Sequence, residues 1–275
     1  MADTQSRGAF GKRGTFTLVL IGIAAFVAFI FLVGQGGLQG TSNNGQAHVA
    51  GKGLAGYAGL ARMLENDGIE VVRSRDRGAL DMPGLLVLTP PPNADPEELT
   101  AAIDRRRTIG PTLVIAPKWF AMPAGDAAEQ PGWVNLLGAI DDWQLEVDGQ
   151  EIDFVGNQEI RAAPRWEGRG YRGQLPSDNA LMHLSDENAD GSLAPLVEDE
   201  QGRILAGHLA DDGSYIAGDL YLDPDRGDGQ SVFGVMLIAE PDLVNNWGLA
   251  EPERAALALE LIDIARQGEE GAVTF

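Results

Sequence analysis

The longest uninterrupted apolar stretch runs from Phe16 to Val33, FTLVLIGIAAFVAFIFLV, eighteen residues with no charge, no proline and one glycine. As an α-helix, at a rise of 1.5 Å per residue, it is about 27 Å long, close to the hydrocarbon thickness of a bilayer. It is apolar all round and leaves no face for water. Arg7, Lys12 and Arg13 precede it against a single Asp3, and the next charge beyond it is Lys52. Basic residues stay on the cytoplasmic side, so residues 1–15 are expected inside as a short tail and everything after residue 33 outside. A cleavable signal has an apolar core of about 7–15 residues and a small-x-small cut site. This run is longer and ends in GQGGLQG. The expectation is an uncleaved single-pass anchor in the cytoplasmic membrane, with the bulk of the chain periplasmic or extracellular.

Residues 34–51 are rich in Gly, Asn, Gln and Ser and suit a flexible tether. Periodicity then begins. Leu54, Tyr57, Ala58, Ala61, Met63 and Leu64 predict a helix that stops at Asp67-Gly68. Ile69 to Val72 is a short β-rich run, and Leu85 to Thr89 is an apolar strand ending in three prolines. Asp95-Pro96-Glu97-Glu98 is a helix start, with an N-cap aspartate, proline in the first turn and acids on the helix dipole. That helix is expected to reach about Ile109, followed by the apolar strand Thr112–Ala116. A looser region from about Pro117 to Asp190 holds two or more short strands, among them Gln144–Val147 and Glu151–Val155. Leu193–Val197, Arg203–Leu209 and Ser214–Leu222 follow, separated by hairpin-type turns. Val232–Ala239 is a strongly apolar strand. Glu251–Arg266 closes the pattern as an amphipathic helix bearing Ala255, Leu257, Leu259, Leu261 and Ile262. Strands apolar on both faces and alternating with helices predict an α/β domain over residues 52–267. Its sheet is expected to be mostly parallel and flanked by helices, with an additional β-rich segment. Residues 268–275 read as a tail.

Charge sharpens the picture. The formal net charge is −21, and the acid is concentrated late: from Asp186 to Phe275, twenty acidic residues face Arg203, Arg226, Arg254 and Arg266. Such a surface repels phosphate, so nucleic acid is excluded as a partner. Cysteine is absent, which removes disulfides, thiolate nucleophiles and cysteine-ligated zinc. The outer domain must hold together by its core, and its length is ample for that.

The array GLAGYAGLARMLENDGIEVVRSR, LLVLTPPPNADPEELTAAIDRRR, TLVIAP and MLIAEPDLVNNWGLAEPERAALALELI resembles the bacterial family of domain of unknown function 4350. The most specific block reads Glu240-Pro241-Asp242-Leu243-Val244-Asn245 here; the family usually carries aspartate at the position of Glu240. The resemblance implies a class I glutamine amidotransferase-like fold anchored by one membrane helix. It also implies company with membrane-associated ATPase systems of the MoxR type and proteins with von Willebrand A-like domains.

The amidotransferase chemistry does not follow. It needs a cysteine nucleophile on a tight turn after a central strand, with a histidine base. Here TLVIA runs into Pro117-Lys118-Trp119 and no cysteine exists. Gly229-Gln230-Ser231-Val232-Phe233-Gly234 lacks the spacing of a serine nucleophile elbow. Gly51-Lys52-Gly53-Leu54-Ala55-Gly56 matches G-x-G-x-x-G and opens a helix, with Asp76 twenty residues on. The apolar strand that should feed its first glycine is missing, and a glycine-rich entry to a helix is the simpler reading. No cofactor is expected. Asp186, Asn188 and Asp190, with Gly191 and Leu193, reproduce the first eight positions of a calcium loop, but position 12 is Val197. The same residues favour a solvated Asx-rich turn. His48, His183 and His208 have no metal-binding spacing. Arg165, Trp166, Arg169, Tyr171 and Arg172 form a basic aromatic patch, either a surface loop or a dock for an acidic partner or a glycan.

One site follows from topology alone. Ligands of open α/β sheets sit beyond the carboxyl ends of the strands. Those ends supply Thr89, Lys118, Trp119, Glu240, Asp242 and Asn245 as candidate ligand-binding residues, though the carboxylates would equally cap the next turn. The leading reading is a membrane-anchored binding or assembly module of the cell envelope, without catalytic activity, working through protein partners. The rivals are an envelope hydrolase of glycoside type using Glu240 and Asp242 and a solute-binding domain with Trp119 stacked on a sugar.

Overall fold

The computed structural model describes residues 19, 21, 22, 26, 46–74, 76–124, 133–147, 149–158, 162–176, 180–185, 193–209 and 233–275. The chain divides into two units, Met1–Ser42 and Asn43–Phe275. In the first, Val19, Ile21, Gly22 and Phe26 are helical and exposed; the rest of the apolar run lies outside the described residues. Among the described residues no helix is long and apolar enough to cross a membrane.

The second unit is mixed α/β, built on a twelve-stranded sheet. Its parallel half contains β1 (Val71–Val72), β2 (Leu85–Leu88), β3 (Thr112–Ile115), β13 (Val235–Ile238) and β14 (Val273–Thr274), in the spatial order β1-β14-β2-β3-β13. Helix α1 (Ala58–Asn66) stops at Gly68, whose φ of 85° suits only glycine. Helix α2 (Pro96–Arg106) starts as its sequence demands: the Asp95 carboxylate accepts from the Glu97 and Glu98 amides. The strand–helix–strand unit β2–α2–β3 is the crossover the apolar runs predict. Helix α3 (Pro252–Arg266) carries the chain from β13 to β14.

The sheet is not mostly parallel. Four of its strand pairings are parallel and seven antiparallel among the described residues. The antiparallel half contains β6 (Asp142–Val147), β7 (Gln150–Asn157), β8 (Arg165–Gly168), β9 (Tyr171–Gln174), β10 (Leu181–Leu184), β11 (Leu193–Asp199) and β12 (Ile204–Leu209). The sheet branches at β12, which pairs with β13, β10 and β11. A separate ribbon joins β4 (Trp119–Pro123) to β5 (Val134–Ala139). Most of the described residues in the region that reads as loose in sequence are therefore strand, one face of which is polar and breaks the apolar runs. β6 shows it: Trp143, Leu145 and Val147 are buried and the residues between them exposed.

Each face of the central strands has its own core. Leu113, Ile115, Met236 and Ile238 pack against Leu60 and Leu64 of α1 and Leu257, Leu261 and Ile262 of α3. Val114, Val235 and Leu237 face Ile103 of α2, together with Trp143, Leu145, Ile152 and Phe154 of β6 and β7. Strands of one sheet can cover that sheet's own face only if it curls, so the antiparallel end wraps over α2. The buried face of α3 is Leu257, Ala258, Leu261, Ile262 and Ala265; Ala255 and Leu259 sit at its margin.

Both ends of the domain extend past the limits read from sequence. Gln46 Nε2 donates to the Ala121 carbonyl of β4 at 2.9 Å, so the structured part begins before residue 52. Val273 and Thr274, read as part of a tail, are buried between β1 and β2. Ser214–Leu222 lies outside the described residues.

Candidate functional site

β3 and β13 are parallel neighbours, with Ile115 beside Ile238, so their carboxyl ends emerge together. Lys118 follows one and Glu240 the other. The Lys118 Nζ donates to Glu240 Oε1 at 2.6 Å and to Asp242 Oδ2 at 2.7 Å. All three side chains are fully buried. Other donors reach the same two carboxylates. Glu240 Oε2 accepts from the Met182 amide of β10 at 2.9 Å, and Oε1 from the Asp242 amide at 3.1 Å. Asp242 Oδ1 accepts from Asn245 Nδ2 at 2.6 Å and Trp119 Nε1 at 3.3 Å. Asn245 Oδ1 in turn accepts from the Gly248 amide at 2.9 Å. A Cβ on Gly248 would lie 1.9 Å from the Asp242 carbonyl, so only glycine lets this turn close.

The cluster therefore joins β3, β13 and β10, the two halves of the sheet, through charge-assisted bonds. Burial pushes the Glu240 carboxyl up to about 7, against the pull of Lys118 and with the help of Asp242. Burial works to discharge Lys118, but the two carboxylates outweigh it and raise its pKa. Tyr57, buried before α1, has its hydroxyl pushed well up by burial and then by Asp242 and Glu240. Chemically the group is a sealed Lys–Glu–Asp network, with the Lys118 ammonium between the carboxylates.

Five of the six strand-end candidates thus converge: Lys118, Trp119, Glu240, Asp242 and Asn245. Thr89 follows β2, on the far side of β3 from β13, and among the described residues no hydrogen bond joins it to the cluster. Sequence reasoning missed Tyr57, Met182 and Asn246. The last explains the glycine motif: Asn246 Nδ2 donates to the Gly51 and Gly53 carbonyls at 2.9 and 2.7 Å, and its Oδ1 accepts from the Gly59 amide at 2.7 Å. Gly56 presses so closely on Gly51 that a Cβ would lie 2.1 Å from its carbonyl. The Gly59 amide, in the first turn of α1 where an anion would be held, is taken by this side chain. Asp186, Asn188 and Asp190 lie outside the described residues, and among those described no cluster of three or more His, Asp or Glu could hold a metal. His208 is buried, and burial lowers its pKa to about 4, so it is neutral.

The basic aromatic patch is not a loop. It forms the β8–β9 hairpin, which turns at Arg169 and Gly170 with φ of 52° and 85°. A groove of about 740 Å³ lies against it, lined by Arg165, Arg172 and Gln174 and by Glu198, Glu200 and Glu251. Trp166 is buried beneath, Gly173 flat against its indole, and its Nε1 has no partner among the described residues. Arg254 connects the groove to the buried cluster: its Nε donates to the Gly248 carbonyl at 2.7 Å, its Nη1 donates to the Gln174 carbonyl, and Nη1 pairs with Glu251 at 2.6 Å.

Comparison with known proteins finds no family model, no curated protein and no solved structure that matches this chain.

Proposed function

We propose that this chain is a membrane-anchored binding module of the cell envelope whose globular unit performs no chemistry at its strand ends. The observation that carries the reading is the closure of the strand-end cluster: Lys118, Glu240 and Asp242 are fully buried and bonded to one another. A glycoside hydrolase must present two carboxyl groups to a sugar, one as proton donor. Here an ammonium sits between them and backbone amides occupy Glu240. What is open is the groove over the β8–β9 hairpin, where Arg165 and Arg172 stand among Glu167, Glu198, Glu200 and Glu251. Such mixed charge selects a partner by complementarity and register. In this reading the partner is an envelope protein, and the resemblance to the domain of unknown function 4350 family points to assemblies that work with MoxR-type ATPases.

The test is capture from detergent extracts. The full chain is expected to recover a specific partner, and a form beginning at Gly34 to lose it from the membrane fraction. The Arg165→Glu/Arg172→Glu variant changes two exposed side chains outside the core and is expected to abolish capture while the protein stays folded. Recovery of no specific partner by the full chain contradicts the reading.

A further inference from the structure

The β4–β5 ribbon is the most apolar surface among the described residues of the globular unit. Phe120, Met122, Trp133, Leu136 and Leu137 are 47, 55, 48, 42 and 64 % exposed. Among the described residues the ribbon has two strands and pairs with no other, an arrangement of marginal stability in water. Its described residues, 119–124 and 133–139, carry no charge in a chain of net −21. An apolar patch of this kind marks an interaction surface.

We infer that the occupant of this surface is the headgroup–acyl boundary of a phospholipid bilayer, so that the ribbon dips into the membrane that anchors the chain. This rests on the anchor reading of residues 16–33. Three features point to lipid. The Gln46–Ala121 bond ties the ribbon to the point where the chain enters the domain. Only residues 34–45 separate Gln46 from the end of the apolar run. Covalent geometry limits twelve residues to at most about 40 Å, which bounds the distance of Gln46 from the end of the apolar run. Finally, the exposed set is aromatic and aliphatic without acid, the composition that the interface accepts, whereas the acidic remainder of the domain is repelled by anionic headgroups.

The absence of cysteine makes the test direct. Leu137→Cys and, as reference on exposed β7, Glu151→Cys each introduce a single thiol for an environment-sensitive dye. The full chain is reconstituted in phosphatidylcholine–phosphatidylglycerol vesicles with and without brominated acyl chains, then washed at alkaline pH. The dye on the L137C variant is expected to shift to the blue and lose intensity to bromine, and the dye on the E151C variant to do neither. If protein stays with the vesicles but the first dye remains in water, the ribbon inference fails and the anchor stands. If that dye is shielded yet not quenched by bromine, a protein surface covers the ribbon and the lipid assignment is overturned. If the protein leaves with the alkaline wash, the anchor reading fails and the inference with it.

Discussion

Lys118→Met lowers the stability of the globular unit by about 3–5 kcal/mol, the cost of leaving buried carboxylates without their cation. The side chain is fully buried and holds both Glu240 and Asp242. The accompanying change Asp242→Asn removes one of the stranded charges and is expected to restore more than about 1 kcal/mol of that loss. Denaturant midpoints of wild type, both single variants and the double variant measure the coupling. A loss below about 0.5 kcal/mol for K118M would mean that the carboxylates are solvated, as surface groups are.

The second large effect is a pH dependence with two opposing limbs. Burial raises Glu240 from 4.5 to about 7, with Lys118 opposing. The folded state therefore binds more protons than the unfolded one between those values, and stability falls as pH rises through about 7. Burial lowers His208 from 6.5 to about 4. There the unfolded state binds more protons, and stability falls as pH drops from 6.5 towards 4. Each limb is on the order of 3 kcal/mol. In the window from 4.5 to 6.5 they offset each other, so the contribution of these two groups is level there. Glu240→Gln removes one limb. Its unfolding midpoint is expected to climb from pH 4 to 6.5 and then stay flat, whereas wild type is level from pH 4.5 to 6.5 and declines from there to about 7. A variant that still declines above pH 6.5 would show that Glu240 is not the group responsible.

How legible these features were in sequence follows from the physics of each segment. The Leu85–Leu88 and Thr112–Ile115 strands are apolar runs, and the helix between them opens on Asp95 and Pro96, whose local chemistry favours a helix start. The convergence of Lys118 with Glu240 and Asp242 was likewise readable, because parallel neighbours in register end side by side. Its closure was not. Sealing depends on Met182, sixty-four residues from Lys118 in the chain, and on a branching of the sheet that no periodicity encodes. The antiparallel half was obscured for a different reason. In β8 only Trp166 is buried between exposed Arg165 and Glu167, so the strand carries one apolar residue. Its turn puts Arg169 in the left-handed region where Asn or Gly would have signalled a hairpin.

The raised Glu240 carboxyl has a structural cause. Desolvation of the kind that tunes a general acid is present, and the fully buried group is held by backbone amides and an ammonium.

The most direct measurement of the central claim is partner capture by the full-length K118M/D242N variant, held below its unfolding temperature and shown folded by circular dichroism. If the strand-end charges only fasten the two halves of the sheet, this variant recovers the proposed partner as well as wild type does. A folded variant that recovers none would contradict the account, because the buried charges would then act in function as well as in the fold.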